Sequence, residues 1–233
     1  LIGTTDVDHD GDVRDAVCTP EERDYLLRCV NAYFAKTLTE KDVLWTFSGV
    51  RPLYDDGATS ATAATRDYVL ELEAGDGPAV LTVFGGKITT YRKLAEDALK
   101  KLAPHVATMA PPWTATVPLP GGDFAVDAVD AQIRDLQRGY PFLTDAWARR
   151  LFRTYGTEAA QILGPAKSVA DLGRYFAATL TQAEVSWLID SEYARTVEDI
   201  VWRRTKLGLR LTDVDIAEIE LFLRQMPPRV AAE

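Results

Sequence analysis

Two arginines and a glycine-lysine corner are the residues here best suited to chemistry. Arg51 stands at the start of a turn in Gly49-Val50-Arg51-Pro52, and Arg66 precedes an apolar run in Thr65-Arg66-Asp67-Tyr68. A guanidinium is a planar fork of N–H donors that suits carboxylate or phosphate, and two forks aimed at one point favour the more highly charged phosphate. The same arginines could pair instead with Asp55, Asp56 or Asp67, all close in sequence, so both readings stand open. The corner is Gly85-Gly86-Lys87-Ile88-Thr89-Thr90, between an apolar strand and an amphipathic helix. Two glycines let a backbone approach a ligand with no Cβ in the way, and Thr89 or Thr90 can cap the helix. The helix start and Lys87 then make an anion-stabilising nest, unless the glycines only turn the chain. It is not a Walker A loop, because Leu81 stands where the first glycine belongs and Ile88 follows the lysine; a G-x-G-x-x-G is also missing.

Other groups offer less. Asp6-Val7-Asp8-His9-Asp10-Gly11-Asp12-Val13 matches the first eight positions of a calcium loop, but position twelve is Val17 instead of a bidentate glutamate. A solvated acidic turn is the expectation there. His9 and His105 have no ligand partner at metal-binding spacing, so no metal site is expected. Cys29 falls on the apolar face of a predicted helix with Tyr25, Leu26 and Val30, and is read as core. Trp202-Arg203-Arg204-Thr205-Lys206 sets three cations beside an aromatic; a solvated or internally paired face is the default, with anionic lipid, a partner subunit or the first domain as the alternatives.

The elements that position these residues change along the chain. Thr19-Pro20-Glu21-Glu22 is a capping box with proline at the first helical position, predicting a helix to about Lys36. Leu1–Thr5 and Val43–Ser48 read as strands. Asp67–Glu73 and Ala79–Phe84 read as a strand pair joined by Gly75-Asp76-Gly77-Pro78. After the corner, Tyr91, Leu94, Ala95, Ala98, Leu99 and Leu102 follow helical spacing and predict one buried stripe. Prolines and glycines crowd residues 104–122 and mark a break, with the linker set at 118–123. Beyond it, Thr144, Thr157, Thr181, Thr196 and Thr212 predict helix starts, and Gly156 and Gly164 predict stops. The expected fold class is therefore α+β: antiparallel strands plus helices over 1–117, then an all-α domain over 124–233.

With 47% apolar and 26% charged residues the chain has the balance of a globular protein, and its net charge of −9 argues against nucleic-acid binding. Two cysteines outside any CxxC suit the reducing cytoplasm, and no apolar run is long enough to span a membrane.

Together the stretches "LIGTTD", "WTFSGVRPLYDD", "TRDYVLE", "VFGGKITTYRKLAEDAL" and "VEDIVWRRTKLGL" resemble, in this order, the C-terminal part of the aerobic, respiratory FAD-dependent glycerol-3-phosphate dehydrogenases. These belong to the D-amino-acid-oxidase-like flavoproteins. The resemblance implies that Arg51 and Arg66 receive the substrate phosphate. Gly86, Lys87, Ile88 and Thr89 would lie along the flavin. Lys87 would stabilise negative charge on it, and Arg51 would also polarise the reacting C2 oxygen. The reaction implied is oxidation of sn-glycerol 3-phosphate to dihydroxyacetone phosphate, with electrons passed to quinone. Peripheral contact with the inner face of the cytoplasmic membrane and a homodimer are implied as well. The family's pyrophosphate glycines and its histidine base have no match here. The chain is therefore expected to be a fragment that by itself neither holds FAD tightly nor turns over. The rival readings are an amine or amino-acid oxidase, which needs one carboxylate-binding arginine, and a non-catalytic helical interaction module.

Overall fold

Threonine caps set most of the helix starts. Thr19 accepts a hydrogen bond from Glu22 N while the Glu22 carboxylate accepts from Thr19 N, and Pro20 opens α1 (Pro20–Asn31). In the second half Thr144 caps α4 (Asp145–Tyr155), Thr181 caps α6 (Gln182–Asp190) and Thr212 caps α7 (Asp213–Gln225). Gly156 and Gly164 end α4 and α5 (Ala159–Leu163) at φ +58° and +54°, a backbone that residues with a Cβ rarely adopt. Thr157 lies within the turn after α4 and is not a cap.

The computed structural model describes residues 1–54, 67–106 and 110–226, and the chain divides into two units, Leu1–Val117 and Pro118–Glu233. The first holds α1, an antiparallel pair β1 (Tyr68–Glu73) and β2 (Val80–Gly85), and α2 (Tyr91–Leu102). Leu70 pairs with Val83 and Tyr68 with Gly85, so the predicted hairpin forms in the expected place. Three expectations fail. Leu1–Thr5 and Val43–Ser48 form no strand, because a strand needs a ladder partner and neither stretch pairs within a described sheet. Helix α1 stops at Asn31, well short of Lys36. The Asn31 side chain accepts from Leu38 N and donates to Leu38 O, which turns the chain back.

The third failure concerns burial. Leu94, Ala98 and Leu102 of α2 are half-buried, but Tyr91 and Leu99 are 48% and 52% exposed. Cys29, expected in a core, is only half-buried. No described residue of this unit is buried, since two strands and two helices make no closed pair of layers.

The second unit has the core. Helix α3 (Val129–Gly139) contributes Ile133 and Leu136, α4 contributes Trp147, Leu151 and Phe152, and α7 contributes Ile219. Each such burial is worth roughly 1.5–3 kcal/mol. Among its described residues the regular structure is helical apart from a short hairpin, β3 (Tyr175–Ala177) with β4 (Leu180–Thr181), where the sequence predicts helices alone. Its turn runs through Ala177, Ala178 and Thr179, all at positive φ, without the glycine or asparagine that usually announces such a turn. Among the described residues no helix is long and apolar enough to cross a membrane.

Candidate active site

The glycine corner is where the two candidate motifs meet. Strand β2 ends at Gly85 with φ +66°, followed by Gly86 at φ +95°. A Cβ on Gly85 would stand 3.2 Å from Asp67 O, 3.5 Å from Tyr54 N and 3.6 Å from Pro52 O. The backbone just after Arg51 therefore lies against the backbone just before Lys87. Edge-on packing of the Tyr54 and Phe84 rings, centroids 5.7 Å apart, holds the same junction. A Cβ on Gly86 would meet Tyr68 Cβ at 3.3 Å and Leu94 Cδ1 at 3.4 Å. Both glycines thus answer a need for close protein packing, in addition to any contact with a ligand.

Beyond the glycines a 3-10 turn over Ile88–Thr90 runs straight into α2. Neither threonine caps α2 in the expected way. Thr90 Oγ1 reaches back instead, donating to Lys87 O at 2.9 Å and accepting from Lys87 N at 3.3 Å, because the extra turn brings it over Lys87. Lys87, Ile88 and Thr89 are exposed, Ile88 at 88%. The result is an open ledge: a cation beside a helix start, with a glycine backbone behind it. That donor set fits the electronegative edge of an electron-accepting ring such as a flavin.

Helix α2 is fixed to the hairpin by polar contacts. Tyr68 Oη donates to Asp97 Oδ2 at 2.6 Å, and Lys93 Nζ donates to Asp97 Oδ1 at 2.8 Å. The lysine and then the tyrosine lower the Asp97 pKa, and the carboxylate in turn raises that of the Tyr68 phenol. Lys101 Nζ donates to Leu70 O at 2.6 Å. Glu96 Oε1 accepts from Thr114 Oγ1 at 2.5 Å and from Arg92 Nη1 at 2.9 Å, and these contacts lower the Glu96 pKa, the threonine first.

Arg51 is placed by a residue that the sequence does not suggest. Its Nη1 donates to Asp6 Oδ2 at 2.7 Å, with side chains 44% and 25% exposed. Of the three nearby acids weighed from the sequence, Asp67 is not its partner in this ion pair, and Asp55, Asp56 and Arg66 lie outside the described residues. Asp6 sits beside Thr5, whose hydroxyl donates to Glu22 Oε1 at 2.5 Å. This bond and the Thr19 N–H lower the Glu22 pKa. The only sequence signal for this chain of contacts was the quoted "LIGTTD", since Asp6 and Arg51 are separated by 45 positions.

The remaining candidates are taken up locally. Asp12 forms an ion pair with Arg14 at 2.5 Å, which brings its pKa to about 2, and His9 Nε2 lies 2.9 Å from Asp12 O. Among the described residues no group of three potential ligands could hold a metal. Arg203 pairs with Asp199 at 2.8 Å inside a π-helical segment, Asp199–Arg204, and Lys206 Nζ donates to the carbonyls of Trp202 and Arg203.

Comparison with known proteins gives the family. Residues 1–92 match the family described as FAD dependent oxidoreductase, and residues 112–226 match the C-terminal domain of alpha-glycerophosphate oxidase. The chain is 47% identical to the aerobic glycerol-3-phosphate dehydrogenase of Escherichia coli (strain K12), over 91% of this chain and 42% of that protein. It is 42% identical to the D-erythritol 1-phosphate dehydrogenase of Brucella abortus (strain 2308), over 93% of this chain and 43% of that protein. The chain thus spans less than half the length of these relatives. The crystal structure of the glycerol-3-phosphate dehydrogenase from Bacillus halodurans complexed with FAD superposes with a TM-score of 0.66 at 24% identity, covering 95% of this chain and 47% of that one, and shows the same fold. With two family matches in this order and this identity across most of its length, the chain belongs to the FAD-dependent glycerol-3-phosphate dehydrogenase family.

Proposed function

We propose that the protein serves the FAD-dependent oxidation of sn-glycerol 3-phosphate at C2 to dihydroxyacetone phosphate, with electrons passed on to a quinone. The observation that carries this reading is the junction at Gly85, where the backbone after Arg51 packs on the backbone before Lys87. Bound FAD would supply the two-electron acceptor. Gly86, Lys87, Ile88 and Thr89 would lie along it, the ammonium and the helix start holding negative charge at its edge. Arg51, with Arg66, would grip the phosphate, and that binding energy would orient C2 for reaction. Arg51 would also polarise the C2 oxygen. Peripheral attachment to the inner face of the cytoplasmic membrane and a homodimer belong to the same reading.

The test uses the whole FAD-loaded enzyme and reduction of a dye by glycerol 3-phosphate. Arg51→Ala is expected to raise KM sharply. Lys87→Met is expected to lower kcat about 10²–10³-fold, as loss of one preorganised charge-stabilising donor does. Competition by amino acids in place of phosphoesters, or an Arg51→Ala KM equal to the parent's, would overturn the reading. The similarity to the Brucella enzyme favours a second substrate, D-erythritol 1-phosphate. The ratio of kcat/KM for the two phosphoesters decides between them.

A further inference from the structure

The Arg51 guanidinium is held by another residue, and what holds it is itself held. The segment before Asp12 belongs to no described sheet or helix, so side chains must fix it. Thr5 does so through Glu22, the third residue of α1, whose second oxygen accepts from Thr19 N at 3.0 Å. The next residue, Asp6, then accepts from Arg51 Nη1 at 2.7 Å. The helix start at Thr19 is thereby linked to a guanidinium through Glu22, Thr5 and Asp6.

We propose that Asp6 is a positioning residue for the substrate phosphate, acting through Arg51. A guanidinium offers five N–H donors in a rigid plane, and among the described residues its bond to Asp6 runs through Nη1 alone. The edge formed by Nε and Nη2 is left to take two phosphate oxygens as a fork. Orienting that fork in advance removes part of the cost of ordering a long side chain when substrate binds. The Asp6 charge acts the other way, repelling a phosphate dianion across the guanidinium. Asparagine and alanine at this position therefore separate orientation from charge: Asn keeps an oxygen acceptor, and Ala keeps neither. This inference rests on the reading of Arg51 as the phosphate residue.

The experiment compares Asp6→Ala, Asp6→Asn and Arg51→Ala in the whole FAD-loaded enzyme. It reads KM and kcat for glycerol 3-phosphate and, by calorimetry, Kd for glycerol 2-phosphate, a phosphoester without a C2 hydroxyl. Asp6→Ala is expected to raise both KM and Kd about 10-fold, the scale of one lost hydrogen bond to a charged group. Its kcat should fall by a smaller factor than KM and Kd rise, because Arg51 still reaches the C2 oxygen, and Asp6→Asn should recover most of the loss. A purely structural role would lower kcat and melting temperature together and would give Asn no advantage. Should Asp6→Ala fail to fold, Thr5→Val frees the same arm and should raise the same two constants by a smaller factor. If Arg51→Ala weakens glycerol 2-phosphate binding but the Asp6 and Thr5 variants leave KM and Kd unchanged or lower, the positioning role is wrong. If Arg51→Ala leaves that binding intact, the phosphate reading itself has failed.

Discussion

Gly85 and Tyr54 meet backbone to backbone: a Cβ on the glycine would stand 3.5 Å from the tyrosine amide nitrogen. Thirty-one positions separate them in sequence, yet this contact fixes how the Arg51 turn sits on the end of β2. Lys87 follows two residues later, so a shift at Gly85 changes the placement of one charged motif relative to the other. Gly85 also carries φ +66°, a region that costs an L-residue roughly 1–2 kcal/mol.

Gly85→Ala should therefore hurt twice. The new methyl meets Asp67 O at 3.2 Å in a strained backbone, and a loss of about 1–3 kcal/mol is expected. Chemical denaturation measures that loss, and KM for glycerol 3-phosphate should rise with it. Gly75→Ala is the control, because nothing lies within 4 Å of a Cβ there. Equal effects in the two variants would show that the junction does not matter.

In the second unit, Glu184 is 1% exposed and takes both Nη groups of Arg150 at 2.6 and 2.7 Å. Tyr155 Oη donates to the same carboxylate at 2.7 Å; burial first, and then that charge, push the phenol pKa far up, so it stays protonated. Arg150 also donates to Thr179 Oγ1 and Thr179 O, pinning the left-handed hairpin turn. Glu184→Ala leaves an uncompensated guanidinium inside and should cost about 3–5 kcal/mol in urea unfolding. Replacing both residues, as Arg150→Met with Glu184→Leu, should cost far less than the two single losses added together. Additive losses would mean that the pair is not coupled.

Asp199 gives a pH dependence with a definite sign. Burial raises its pKa, but the N–H groups of Arg195 and Thr196, the Thr196 hydroxyl and Arg203 outweigh it and bring the value to about 2. The folded protein thus holds this carboxylate ionised where the unfolded chain has begun to protonate it. Its contribution is complete above the ordinary aspartate value of 3.8 and disappears as pH falls toward about 2. Unfolding free energy measured between pH 5 and 2 should fall less steeply for Asp199→Asn than for the parent. An identical slope would remove Asp199 from the acid response.

What could be read in advance was short-range. Thr19, Thr144, Thr181 and Thr212 cap helices because capping is settled within three residues, and the hairpin around Gly75-Asp76-Gly77-Pro78 is likewise local. Gly85-Gly86-Lys87 was legible as a corner between strand and helix, but not the close approach of Tyr54 to it. The pairs Arg51–Asp6 and Arg150–Glu184 span 45 and 34 positions, and sequence spacing carries no sign of which acid a distant arginine will meet. Val43–Ser48 shows the same limit from the other side: alternation describes a strand's faces, whereas a strand forms only when a neighbour completes its hydrogen bonds. Helical spacing placed Tyr91 and Leu99 on one stripe without saying how much of that stripe is covered. The hairpin turn at Ala177–Thr179 was hidden because its left-handed backbone is held by Arg150 and carries none of the usual turn residues.

Beyond the π-helical segment, Asp199–Arg204, the chain is held by its own side chains. Lys206 adopts φ +57°, and its ammonium closes on the carbonyls of Trp202 and Arg203. Thr205 Oγ1 donates to Ile200 O at 2.7 Å, so the chain turns tightly as it leaves the segment. Gly208 then passes directly over the Trp202 indole: a Cβ there would lie 2.5 Å from Cε2 and 2.6 Å from Cζ2. An indole is rigid and cannot bend away as a lysine stem can, so the whole ring must move. Gly208→Ala should therefore cost about 1–3 kcal/mol, the range for an overpacked site. It should also change the near-ultraviolet circular dichroism, since Trp202 would leave its present packing. A melting temperature and spectrum equal to the parent's would show that the ring has room to step aside, and that this glycine is there for some reason other than the indole.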